Sequence, residues 1–225
     1  MATAARRAQP LRTARFDVLV LPQTAAFYHG DRYNRLWALY PQRGVAAVEG
    51  APDVMWFTFD PEQAARYSDM PDPVIHVGEY IATQPLRLFR ADSLDNWRRL
   101  LASPEPTAKE RAAARAFVEI QEGTGEPLRL NRFSIVDSDV VVLQLLCRLG
   151  FDGYYASRLP SRFLGGSWFA EELAVCDPAD RVQLENVMDF YNFYGTRRGE
   201  RPDVQVYPAP REPLPRPSDG VPEED

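Results

Sequence analysis

The sequence predicts an α+β protein with a mostly antiparallel or split sheet and a helical insert between about Asp92 and Leu149. Three observations predict it. Short strand-like runs outnumber helical ones. They do not alternate regularly with helices, as a doubly wound βαβ fold would require. Between about Asp92 and Leu149 three helical runs follow one another, with caps at Asp92 or Ser93 and at Asp137-Ser138-Asp139.

Phe16 to Leu21 alternates weakly and stops at Pro22, as a first strand would. Ala26 to Gly30 reads as a second short strand entering a ligand loop, Tyr33 to Tyr40 as a helical turn or two, and Gly44 to Pro52 as a loop. Val54 to Phe59 is aromatic-rich and strand-like. Asp60-Pro61-Glu62 then starts a helix, with an N-cap, a proline at the first helical position and an acid in the first turn. That helix is expected to reach about Ser68. Val74 to Val77 and Tyr80 to Ala91 read as a strand pair, interrupted near Gln84-Pro85.

The insert begins with a helix over Asp92 to Ala102, capped by Asp92 or Ser93, with Leu94, Trp97, Leu100 and Leu101 on one face. A second helix spans Thr107 to Glu122. A third follows Asp137-Ser138-Asp139, and its run Val140 to Leu149 is apolar nearly all round until Gly150 stops it. Phe151 to Ala156 and Glu172 to Cys176 read as strands flanking a Gly/Arg loop over Ser157 to Ser167. Val182 to Tyr194 reads as a strand or a helix. Seven of the prolines fall from Pro202 onward, and acidic residues close the chain. The expected organisation is a disordered tail over 1–15, one domain over 16–197 and a disordered Pro-rich acidic tail over 198–225.

The net charge of −6 argues against a general nucleic-acid binder. Lys109 is the only lysine, so the arginine excess reflects coding bias and arginine clusters are discounted. Cys147 and Cys176 lie in apolar stretches without metal-ligand spacing; buried thiols in a reducing compartment are expected, with a disulfide left open. No metal site and no membrane span is expected, and the chain reads as intracellular and cytoplasmic. The N-terminal Arg/Ala content also allows a transit peptide, but a disordered tail is preferred.

Three short segments carry the chemistry. Phe27-Tyr28-His29-Gly30 sets one of two histidines at a strand end, where a neutral imidazole can donate to a ribose hydroxyl and Gly30 lets a ligand approach the backbone. Trp56 and Tyr67 fall at the same end of a strand-turn-helix unit. Their rings could sandwich a flat heterocycle at about 1 kcal/mol per contact, more for a cationic nicotinamide, with Thr58 offering a hydroxyl at the rim. Glu172 opens the apolar run Leu173 to Cys176 after the glycine-rich, aromatic Gly165-Gly166-Ser167-Trp168-Phe169. A carboxylate there could bind a ribose hydroxyl and stabilise charge developing at the anomeric carbon. Singly, each has an ordinary explanation as a turn, core or surface residue. Order and spacing set them apart.

In these motifs the chain resembles the ADP-ribosyltransferase superfamily, in the His-Tyr-Glu branch that includes diphtheria toxin and the poly(ADP-ribose) polymerases. The resemblance covers roughly Phe27 to Asp177. Tyr28-His29-Gly30 is similar to the first family motif, Trp56 and Tyr67 stand at the eleven-residue spacing of the second, and Glu172 to Asp177 fits the third. Glu171 is the alternative carboxylate. Asp31 stands where the family usually has Ser or Thr, and Trp56 where it has tyrosine.

The resemblance implies a split antiparallel β-sandwich and a mono-ADP-ribosyltransferase or NAD glycohydrolase that uses NAD as substrate and an unassigned acceptor. His29 and Gly30 would bind the ribose and nicotinamide amide, Trp56 and Tyr67 would clamp the nicotinamide, and Glu172 would stabilise the oxocarbenium-like state. Arg32, Arg35 and Arg66 are phosphate candidates by proximity. The alternatives are an inactive nucleotide- or protein-binding module on the same fold and an RNA 2′-phosphotransferase-like enzyme.

Overall fold

Among the described residues, hydrophobic alternation along nine short strands sorts their side chains onto two sheets, and the helical insert covers one of them on one side. The computed structural model describes residues 15–30, 54–67, 74–124, 137–156, 172–193 and 202–209. The strands are β1 (Val18–Leu21), β2 (Ala26–Gly30), β3 (Val54–Phe57), β4 (Val74–Ala82), β5 (Leu86–Arg90), β6 (Gly153–Ala156), β7 (Glu172–Cys176), β8 (Val182–Tyr191) and β9 (Asp203–Pro208). The helices are α1 (Pro61–Tyr67), α2 (Leu94–Ala102), α3 (Ala108–Thr124) and α4 (Asp137–Arg148). One sheet has the order β1-β5-β6-β7-β3 and the other β2-β4-β8-β9. Every pairing is antiparallel except β5 with β6. The fold is therefore α+β with two mostly antiparallel sheets.

The period-two alternation of strands assigns the faces of the five-stranded sheet. Val54, Trp56, Tyr154, Ala156 and Ala174 join the core shared with α2, α3 and α4. Met55, Phe57, Tyr155, Leu173 and Val175 pack instead with Phe27, Tyr80 and Val182 of the four-stranded sheet. On the far side of that second sheet, Ala64 and Ala65 of α1 pack with Ile75, Val77, Phe190 and Phe193.

Local signals explain the helix starts. Asp60 Oδ1 accepts the backbone N–H groups of Glu62 and Gln63. Ser93 accepts from Asn96 N. Thr107 and Glu110 exchange side-chain-to-backbone bonds as a capping box. Asn96, fully buried, accepts from Asp17 N and donates to the Asp17 and Arg90 carbonyls, tying the start of β1 to α2.

The sheets depart from the sequence reading in two places, at β4 with β5 and at β9. β4 runs unbroken through Gly78 and pairs with β2 and β8, whereas β5 belongs to the other sheet. A Cβ at residue 78 would meet the Tyr80 ring, so this glycine makes room for packing and does not mark a turn. Of the two readings open for Val182 to Tyr194, the structure shows the strand, over Val182–Tyr191, with a register shift at the Glu79/Tyr80 pairing. Residues 203–208, which the sequence assigns to the tail beyond 197, form β9 along the edge of β8. The expected helix over 33–40 and the loops over 44–52 and 157–167 lie outside the described residues.

Cys147 of α4 and Cys176 of β7 form a disulfide, with Cα atoms 6.2 Å apart. This corrects the expectation of free thiols. Such bonds persist in oxidising surroundings, which weighs against the reducing, cytoplasmic setting read from the sequence. Closing a loop across a sequence separation of 29 is worth about 3.6 kcal/mol in the chain-entropy picture. The double variant C147A/C176A is therefore expected to unfold at a clearly lower urea midpoint than the oxidised wild type. Equal midpoints would show that the bond adds no constraint. No helix among the described residues is long and apolar enough to cross a membrane.

Candidate functional site

Along β2, Phe27 and His29 point between the sheets and Tyr28 points away. Phe27 meets the Phe57 ring edge-on at 4.8 Å, and His29 lies 5.9 Å from Phe57 and 6.4 Å from Tyr80 between ring centroids. His29 is only 8% exposed. Its Nδ1 is 2.7 Å from the Trp56 carbonyl oxygen. A carbonyl can only accept, so Nδ1 carries the hydrogen and Nε2 of the neutral ring is an acceptor. The expected role is thereby altered: a neutral His29 would receive a hydrogen bond from a ribose hydroxyl instead of donating one.

On the opposite face, Tyr28 donates to Glu79 Oε1 at 3.2 Å, and Asn186 donates to Glu79 Oε2 at 2.6 Å. Burial, reinforced by the Glu79 carboxylate, pushes the Tyr28 phenol above its usual value. Gly30 allows a close approach, but of a different kind from the one expected. A Cβ there would overlap the Ala64 carbonyl oxygen, so the missing side chain seats α1 against β2.

Three strands of the five-stranded sheet place the next group. Trp56 of β3 and Tyr154 of β6 both stand opposite Ala174 of β7, one on each side. All three face the helical layer. The small alanine leaves room for the indole to reach across, and Trp56 Nε1 donates to the Tyr154 hydroxyl at 3.0 Å. Glu172 lies two residues before Ala174 on the same face of β7. The Tyr154 hydroxyl donates to its Oε1. Glu172 is 7% exposed and opposite Ala156, another small residue.

A continuous path thus runs from the His29 ring to the Trp56 backbone, through the Trp56 indole and the Tyr154 phenol, to the Glu172 carboxylate. The path links His29, Trp56 and Glu172, which the sequence proposed separately, with the His29 ring packed between the sheets and Glu172 on the helical face. It adds Tyr154, which the sequence missed. The Tyr154-Tyr155 pair was visible, but nothing local said that β6 borders β7.

The other expected site residues are placed differently. Trp56 is only 2% exposed, its ring within the helical-side core, so it does not present the open face that a nicotinamide clamp needs. Strand alternation is the reason: residues 54 and 56 face the helices, and 55 and 57 face the second sheet. Thr58 is buried, its backbone paired with Tyr28 and its Oγ1 accepting from Asp60 N at 3.3 Å, so the hydroxyl supports the start of α1 and does not line a rim. The backbone of Tyr67 closes α1, but its side chain lies outside the described residues. Arg66 stacks over the Phe193 ring at 5.4 Å. Asp31, Arg32, Arg35, Glu171 and the 165–169 loop lie outside the described residues.

The second histidine, His76, pairs through Nδ1 with Asp189 at 2.6 Å on β4 and β8. Among the described residues no group of three or more His, Cys, Asp or Glu is placed to hold a metal ion. No family model, curated protein or solved structure matches the chain.

Proposed function

We propose that the protein is an NAD-dependent mono-ADP-ribosyltransferase or NAD glycohydrolase, which cleaves the bond between nicotinamide and ribose. The observation that carries the reading is the buried Glu172 carboxylate at the start of β7, joined through Tyr154 and Trp56 to the ring of His29. A carboxylate held with little water around it can stabilise the positive charge that grows on the ribose as nicotinamide leaves. His29, with its hydrogen committed to Trp56 O, is suited to accept from a ribose hydroxyl. Tyr67 remains the aromatic proposed to stack on nicotinamide. The two mostly antiparallel sheets are compatible with the split sandwich that the resemblance implies.

The test is mass spectrometry of the products after the purified protein is incubated with NAD. Nicotinamide is expected, together with free ADP-ribose or an ADP-ribosylated acceptor. The burial of Trp56 favours a second reading, a non-catalytic nucleotide-binding module on the same fold. Binding of NAD without any release of nicotinamide would select that module and end the enzymatic proposal.

A further inference from the structure

Indole can only donate a hydrogen bond, whereas a phenol carries one hydrogen and can also accept. With Trp56 Nε1–H pointed at the Tyr154 oxygen, the hydrogen of that hydroxyl is turned toward Glu172 Oε1. The donors therefore run in order from indole to phenol to carboxylate, with Glu172 Oε1 as the acceptor. The setting reinforces the order. Trp56 and Tyr154 are buried in the helical-side core, and the row of Trp56, Ala174 and Tyr154 across β3, β7 and β6 fixes where both rings lie. Hydrogen bonds in such a chain polarise one another, so the indole strengthens the phenol's bond to the carboxylate.

The geometry points to Trp56 and Tyr154 as paired positioning residues for Glu172. Tyr154 holds one carboxylate oxygen as a hydrogen-bond acceptor, and Trp56 acts on Glu172 through Tyr154. Trp56 is thereby given a task that needs no open ring face. The inference deepens the ADP-ribosyl-transfer reading, on which its kinetic consequence rests; the hydrogen-bond order itself does not depend on NAD.

The two are tested separately. In protein labelled with ¹⁵N-tryptophan, the chain's four indoles give separate N–H resonances, and W56F identifies that of Trp56. E172Q keeps an acceptor oxygen but removes the charge, and is expected to move the Trp56 resonance. In a Y154F background the same change at residue 172 is expected to leave it still. An unmoved resonance in E172Q, or an equal shift with and without the phenol, overturns the inference. The comparison of wild type with E172Q decides this even if Y154F fails to fold.

With NAD, Y154F is expected to lower kcat about 10- to 100-fold with KM nearly unchanged. A merely structural contact would lower the melting temperature and leave kcat per folded molecule intact, and that result also overturns the inference. A wild type that releases no nicotinamide removes the functional reading, and the indole resonances alone then decide the hydrogen-bond order.

Discussion

Glutamine in place of Glu172 is expected to slow nicotinamide release from NAD by about 100- to 1,000-fold, the usual cost of removing one preorganised electrostatic group from a transition state. The substitution is nearly isosteric. The amide oxygen can still accept from Tyr154, so the contacts of β7 with β3 and β6 should survive. What disappears is the negative charge that would face the developing oxocarbenium-like ribose. The loss should therefore fall on kcat, with KM for NAD and the melting temperature close to wild type. Steady-state kinetics with a thermal melt of the same sample checks both. Full activity in E172Q would remove Glu172 from the catalytic role and direct attention to its neighbour Glu171.

The largest effect on stability is expected at Gly153. Its φ of +150° is a conformation that residues with a side chain rarely adopt, and a Cβ there would overlap the Ala174 carbonyl oxygen of β7. Gly153→Ala combines backbone strain with a clash between β6 and β7, together about 3–5 kcal/mol. The neighbouring row is where Tyr154 crosses Ala174, so any shift that relieves the clash also moves Tyr154 relative to Glu172. Urea unfolding should show a sharply lower midpoint, or the variant should fail to accumulate as folded protein. A variant within about 1 kcal/mol of wild type would mean that β6 and β7 are less closely apposed than described.

Features written within a few consecutive residues were legible in the sequence. Asp60-Pro61-Glu62 announced α1, Ser93 capped α2, and the apolar run to Leu149 marked the buried α4. Features that depend on distant partners were not. Gly78 suggested a break, yet β4 continues because the Tyr80 ring fills the space above it. β9 was hidden by the proline content around it, although Val204-Gln205-Val206-Tyr207 alternates and an edge strand tolerates proline at its end.

The same division holds at the candidate site. His29, Trp56 and Glu172 could be picked out by type and spacing, and a run of hydrogen bonds through Tyr154 and the Trp56 backbone links them. Their working partners could not be read, because those depend on which strand lies beside which. Trp56 was assigned an open stacking face, and strand alternation turned it inward to Tyr154. Gly30 was read as space for a ligand, and the Ala64 carbonyl takes that space.

The bond between Cys147 and Cys176 gives the helical insert a different standing from that of a decoration. It ends on the strand that begins with Glu172, four residues along β7. Excising 92–149 would strip one whole face of the five-stranded sheet and leave Cys176 as an odd thiol in the exposed wound. The insert is thus no cassette that could be swapped between scaffolds. It and the strand bearing the key carboxylate form one inheritable unit, and a shortened domain meant to keep the chemistry would have to keep both.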